Sequence, residues 1–89
     1  HSFVIGVHVE GPVDANSGWV MDFADISAAM APLVDALDHR YLNEIPGLEN
    51  STSEILAKYL WDRIAQEVPG LSAVTIWESE TSRCVYRGT

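Results

Sequence analysis

An acidic residue and a histidine stand side by side where the first segment with helical periodicity ends. Asp38 directly precedes His39, and a carboxylate beside an imidazole can favour its charged form and fix its ring orientation. Such a pair could transfer protons near neutral pH. The alternative is that Asp38 caps a turn and that His39 is a solvated loop residue. Spacing alone favours this alternative.

A second set of polar residues stands at the predicted ends of a strand and a helix. Glu78 closes a strand on the side of its apolar residues, where a carboxylate can accept two hydrogen bonds from a planar pair of donors. The alternative, which the sequence alone favours, is a strand-end residue that reaches water. Thr52, Ser53 and Glu54 begin a helix, where free N–H groups and hydroxyls favour polar ligands. They could also do no more than cap that helix.

Two further residues are candidates for metal or thiol chemistry. His1 is a possible zinc ligand, but a zinc site needs several ligands and His1 alone does not make one. Cys84 is the single cysteine, so it cannot form a disulfide within the chain. A chain without internal disulfides fits a reducing compartment, and we expect a cytoplasmic protein.

The first part of the chain predicts a strand and then a loop. Phe3, Ile5, Val7 and Val9 alternate with more polar residues over positions 2–10, which is typical of a strand with one buried face. Gly11-Pro12 ends this strand and the residues up to Gly18 favour a loop. The short apolar stretch at 19–23 suggests a second strand segment.

Two amphipathic helices follow. Apolar residues recur at helical spacing over roughly 24–37, with Asp22 or Asp25 as the expected cap and a distortion expected at Pro32. Residues 38–50 lack a period and are predicted to be a loop. The run Ser51-Thr52-Ser53-Glu54 has the form of a capping box, and it predicts a second helix over roughly 52–67.

Two strands, 71–78 and 83–86, complete the predicted order of strand, helix, helix, strand, strand. Two helices on one face of a mainly antiparallel sheet is the simplest arrangement of these elements. We therefore expect an α+β fold.

Size and charge exclude several classes of protein. The 89 residues form one small domain, 1–89, with a thin core. The net charge of -8, with five Lys and Arg residues, excludes the basic surface that a nucleic-acid partner requires. No apolar run approaches the roughly 20 residues that span a bilayer, so we expect no membrane partner.

Four ordered pieces of sequence resemble the 6-pyruvoyl-tetrahydropterin synthase and 6-carboxytetrahydropterin synthase family. They are Trp19–Phe23, Leu37–Asn43, Asn50–Glu54 followed by Trp61, and Trp77–Thr81 followed by Val85–Gly88. The resemblance covers essentially all of the chain. The loop 45–50 is most similar to the bacterial 6-carboxytetrahydropterin synthases of queuosine biosynthesis.

The resemblance implies a tunnelling fold, in which a four-stranded antiparallel sheet carries two helices between its second and third strands. It implies a zinc-dependent lyase that acts on 7,8-dihydroneopterin triphosphate, with the site between subunits. It also implies a homo-oligomer in which trimers close their sheets into a barrel and pair as hexamers.

The same resemblance implies roles for individual residues. Asp38 and His39 match the catalytic proton-transfer pair of the family. Glu78 matches the glutamate that anchors the pterin ring. The hydroxyl-rich run Thr52, Ser53 and Glu54 matches the segment that lines the pterin pocket.

The metal site is where this sequence departs from the family. His1 matches the second histidine of a His-x-His zinc motif, whereas the first histidine, a further zinc histidine and the catalytic cysteine have no counterpart from His1 onward. Cys84 does not match that nucleophile, and His8 falls on the opposite strand face from His1. We therefore expect a domain that is incomplete at its N-terminus.

Three classes of function stay open, and the first of them, a pterin-synthesising enzyme, has two members. A 6-carboxytetrahydropterin synthase is the leading one, and a 6-pyruvoyl-tetrahydropterin synthase is its alternative within the family. A catalytically incomplete pterin-binding fragment is the second class, and an α+β domain with accidental matches is the third. A triphosphate also needs cations, and Arg40, Lys58, Arg63, Arg83 and Arg87 are the available ones.

Overall fold

The computed structural model describes residues 3–18, 20–38, 44–49 and 52–89. Its elements follow the predicted order: strand β1 (Val4–Val9), helix α1 (Phe23–Leu37), helix α2 (Ser53–Ile64), strand β2 (Leu71–Trp77) and strand β3 (Arg83–Tyr86). Both strand pairs are antiparallel and β2 is central. The α+β architecture is as expected.

The register of the sheet assigns its residues to two faces. Ile5 lies opposite Ile76, which in turn lies opposite Cys84. These residues share the face that packs against the helices, because side chains alternate along each strand. A register shift between His8 and Val9 ends the regular pairing of β1 with β2.

The opposite face of the sheet carries the indole of Trp77. A Cβ atom on Gly6 would lie 2.7 Å from Cζ3 of Trp77, so only glycine leaves room for the ring here. On the same face, His8 Nε2 lies 3.1 Å from the hydroxyl of the buried Thr75.

Helix α2 provides most of the helical contribution to the core. Leu56, Leu60 and Ile64 are buried at the spacing of one helix face and pack with Val74 and Ile76 of β2. The helix ends at Ile64, and 65–67 form turns rather than the last helical turn that we predicted. Val68, just beyond, is fully buried and closes this end of the core.

Helix α1 is peripheral. It contains no buried residue, although Met30, Leu33 and Leu37 pack partly against the core. The expected strand segment at 19–23 is wrong for the described residues 20–23, because Asp22 caps α1 and Phe23 begins it. The carboxylate of Asp22 accepts a hydrogen bond of 2.9 Å from the N–H of Ala24.

Pro32 does not interrupt α1, which is continuous from Phe23 to Leu37. The carbonyl of Ala28 loses its usual N–H donor at this point. Ala28 and Pro32 are both exposed, so water can reach that carbonyl.

The connection before α2 contributes to the core, which its lack of periodicity did not predict. Ile45 and Leu48 are buried among the side chains of α2 and β2. Gly47, at a φ of 95°, makes the turn between them.

Candidate functional site

The site is built from the first turn of α2. Thr52 is its N-cap, and its hydroxyl accepts a hydrogen bond of 3.2 Å from the N–H of Ile55. Ser51, the first residue of the predicted capping box, lies outside the described residues. Ser53 and Glu54 are the first two helical residues; Ser53 is buried and Glu54 is exposed.

Glu78 is presented by the turn between β2 and β3. The strand ends at Trp77, one residue earlier than predicted, and the N–H of Glu78 donates to the carbonyl of Ser82 over 3.0 Å. The hydroxyl of Ser79 accepts from the N–H of Ser82 at 3.1 Å. These bonds hold the backbone beneath Glu78, whose side chain is exposed to solvent.

A hydrogen bond joins the helix to this turn. The hydroxyl of Ser53 donates to Oε1 of Glu78, 25 residues away in the sequence. The first turn of α2 and the end of β2 therefore meet at one point. The predicted proximity of Glu78 to the start of this helix is present in the structure.

Cys84 lies near this end of β2 in the strand pairing, a position that sequence reasoning missed. Burial raises the pKa of its thiol, and the nearby carboxylates of Glu54 and Glu78 raise it further. The strand pairing explains this location, because Cys84 lies opposite Ile76, two residues before Glu78 on the same face. A turn centred on residue 80 could have indicated this from the sequence.

The predicted proton-transfer pair is only partly described. Asp38 is exposed and is the C-cap of α1, where its N–H donates to the carbonyl of Val34 over 2.8 Å. His39 lies outside the described residues. The pairing of Asp38 with His39, and its approach to Glu78, therefore stay predictions.

Zinc does not fit the described residues by themselves. Over 3–18, 20–38, 44–49 and 52–89, no three His, Cys, Asp or Glu side chains come together as metal ligands. His1 lies outside these ranges. His8 is next to Thr75 on the sheet face away from the helices.

The hydrogen-bonded pair of Ser53 and Glu78 is suited to binding a ligand. A carboxylate offers about four lone-pair positions, and Ser53 uses one on Oε1 of Glu78. The remaining positions can accept hydrogen bonds from a planar donor pair. Because Glu78 is exposed, such a ligand can reach it from solvent.

Comparison with known proteins identifies relatives over the whole chain. Residues 1–89 match the family model described as 6-pyruvoyl tetrahydropterin synthase. The chain is 39% identical to a 6-carboxy-5,6,7,8-tetrahydropterin synthase of Synechocystis sp., a match that covers 97% of this chain and 71% of that protein. It is 37% identical to a dihydroneopterin monophosphate aldolase of Pyrococcus furiosus, over 88% of this chain and 68% of that one.

Animal proteins with the same type of name also match this chain. The human 6-pyruvoyl tetrahydrobiopterin synthase is 32% identical over 99% of this chain, which spans 65% of the human protein. Among solved structures, the 6-pyruvoyl tetrahydropterin synthase of Caenorhabditis elegans superposes with a TM-score of 0.92 at 32% identity. That superposition covers 100% of this chain and 68% of the other.

Proposed function

Because the chain belongs to the 6-pyruvoyl tetrahydropterin synthase family, we propose that it is a 6-carboxy-5,6,7,8-tetrahydropterin synthase acting on 7,8-dihydroneopterin triphosphate in queuosine biosynthesis. The family membership and the tunnelling fold are confirmed by the comparisons. The choice of this reaction is supported by the cyanobacterial relative and by the loop at 45–50.

The observation that carries the proposal is the position of Glu78. Its carboxylate lies at the start of α2, is exposed, and has one oxygen already hydrogen-bonded to Ser53. A pterin presents a ring N–H beside an exocyclic amino group, which form a planar pair of donors. Glu78 accepts this pair and so orients the ring.

Proton transfer is assigned to Asp38 and His39. In this proposal the carboxylate of Asp38 orients the imidazole of His39, which accepts and returns protons at the substrate side chain. Thr52 and Glu54, beside Ser53, line the pocket around the ring. These roles follow from the family resemblance.

Zinc enters the proposal only through His1. When bound, the metal would polarise the oxygens of the substrate side chain. The described residues do not provide its site, so no step is assigned to it here. The metal content of the purified full-length protein, with and without the His1→Ala change, checks whether His1 is a ligand.

The charge balance restricts which side chains can bind the triphosphate. Lys58 lies 3.8 Å from Asp62, and the guanidinium of Arg63 is 3.4 Å from the centroid of the Tyr59 ring. These two cations therefore have partners within α2. Arg40, Arg83 and Arg87 are left as the candidates, and the cytoplasmic homo-oligomer that we propose would bring such side chains from several subunits to one site.

The test of pterin recognition is Glu78→Gln in the full-length protein. The amide offers one acceptor oxygen and a donating NH2 group where the carboxylate offers two acceptor oxygens, so we expect affinity for neopterin to fall by about tenfold or more. Pterin fluorescence measures this. Glu80→Gln, an exposed carboxylate in the same turn, is the matched control and should bind like the wild type. Equal affinity in Glu78→Gln and the wild type would remove the basis of the proposal.

Two alternative reactions are favoured by particular relatives. The human protein supports a 6-pyruvoyl product, and the Pyrococcus furiosus protein supports an aldolase acting on the monophosphate. Parallel incubation with dihydroneopterin triphosphate and monophosphate, followed by mass spectrometry of the products, separates them. Pterin binding without turnover of either substrate would instead support a catalytically incomplete member of the family.

A further inference from the structure

We infer that Ser53 is a positioning residue, whose hydroxyl fixes the orientation of the Glu78 carboxylate instead of contacting the ligand. This inference rests on the proposed function for its consequence in pterin binding. Its structural part, the restraint of Glu78 by Ser53, can be tested without any ligand.

The hydroxyl of Ser53 donates its hydrogen bond to Glu78. Ser53 is 6% exposed, and no described buried side-chain oxygen or nitrogen lacks a hydrogen-bond partner. Because Glu78 Oε1 accepts from this hydroxyl, a turn away from Glu78 would leave a buried donor unpaired. Such an unpaired group is costly in a protein interior.

Without the hydrogen bond between them, Ser53 and Glu78 would differ in side-chain mobility. Ser53 is held in the first turn of α2, next to the Thr52 cap. Glu78 follows the end of β2, and its long side chain is exposed. An exposed glutamate normally samples several rotamers, and ordering it on ligand binding costs affinity. A bond from a rigid donor removes part of that cost before the ligand arrives.

The geometry of the bond determines what Glu78 can bind. With Oε1 restrained, rotation of the carboxylate about its terminal bond is restricted, so the plane of the two oxygens is fixed. Oε2 and the second lone pair of Oε1 remain as acceptors in that plane. A flat ligand with two adjacent donors matches this arrangement better than a ligand with a single donor.

The experiment compares five changes with the wild-type full-length protein. Ser53→Ala removes the hydroxyl and Ser53→Thr retains it. Ser72→Ala is the matched control, because the Ser72 hydroxyl donates over 3.1 Å to the carbonyl of His8 at the other end of β2. Glu78→Ala and the double change Ser53→Ala with Glu78→Ala complete the cycle.

Neopterin affinity, followed by pterin fluorescence, is the first measurement. We expect Ser53→Ala to bind about tenfold more weakly or worse, Ser53→Thr to recover most of this loss, and Ser72→Ala to match the wild type. Because Ser53 acts through Glu78, its removal should have no further effect in the Glu78→Ala background. An equal loss in both backgrounds would overturn the inference.

Side-chain order of Glu78 in the ligand-free protein, from carbon-13 relaxation, is the second measurement. The order parameter should fall in Ser53→Ala and stay unchanged in Ser53→Thr and Ser72→Ala. An equally ordered Glu78 in Ser53→Ala would refute the positioning role whether or not the protein binds pterins. Conversely, loss of order together with no neopterin binding by the wild type would support the positioning role and reject the proposed function.

Discussion

Two carboxylates that come from different elements disfavour ionisation of the Cys84 thiol. Glu54 belongs to α2 and Glu78 follows β2. Burial is the largest cause of the raised pKa of the thiol, and both carboxylates add to it. The pKa of Cys84 therefore reports on the charges of Glu54 and Glu78. It is the single cysteine of these 89 residues, so alkylation of this chain modifies Cys84 alone.

Replacing Glu54 by Gln should lower the pKa of Cys84. The change removes a negative charge that disfavours the thiolate, so more thiolate exists at a given pH. The pH midpoint of alkylation by iodoacetamide should therefore move downward. Glu67→Gln, an exposed carboxylate beyond the end of α2, should leave the midpoint unchanged. A midpoint that does not move in Glu54→Gln would show that the two groups are not close.

At the scale of elements, the two helices differ in how many of their residues are buried in the core. Five residues of α2 are buried, from Ser53 to Ile64, and α1 has none. Since tertiary packing provides most of the stability of short helices, α1 should open locally while α2 opens only with the sheet.

Removal of the two N-caps should separate these behaviours. Thr52→Ala should lower the free energy of unfolding by about 1 kcal/mol, since α2 belongs to the core. Asp22→Ala should change global stability less and should mainly speed amide exchange within α1. Urea denaturation and hydrogen exchange measure the two effects. The expectation is wrong if Asp22→Ala costs as much global stability as Thr52→Ala.

The sequence predicted the elements well where a single local pattern decides them. Alternation in β1 and 3.6-residue spacing in both helices were sufficient. The errors arose where a short apolar stretch has no period of its own, as at 19–23, where the side chain of Asp22 starts a helix instead. Pro32 does not interrupt α1, because the carbonyl of Ala28 that loses its donor is at an exposed residue.

For the molecule as a whole, the least predictable part of the core is the one contributed by the segment that connects α1 to α2. Ile45 and Leu48 come from a segment without periodicity, so only the assembled fold shows that they are buried. The proximity of Ser53 to Glu78 was more predictable, because both stand at element ends that the resemblance aligns. Cys84 was missed since its place depends on the pairing of β3 with β2.

Leu48→Ala should be among the most destabilising changes outside the regular elements. Leu48 is 0% exposed, and truncation of a buried leucine costs about 2–5 kcal/mol. Val13→Ala, at a loop position that is 62% exposed, should change stability by no more than about 0.5 kcal/mol. Urea midpoints of the two variants decide this. Similar midpoints would mean that Leu48 does not contribute to the core.

The burial of Ile45 and Leu48 also matters for attempts to transfer substrate selectivity from one member of the family to another. Grafting the connection before α2 from one enzyme into another would exchange two interior side chains together with any surface ones. Chimaeras of this kind would need the hydrophobic anchors of the recipient to be kept, and only the solvent-facing positions between them could be shuffled freely.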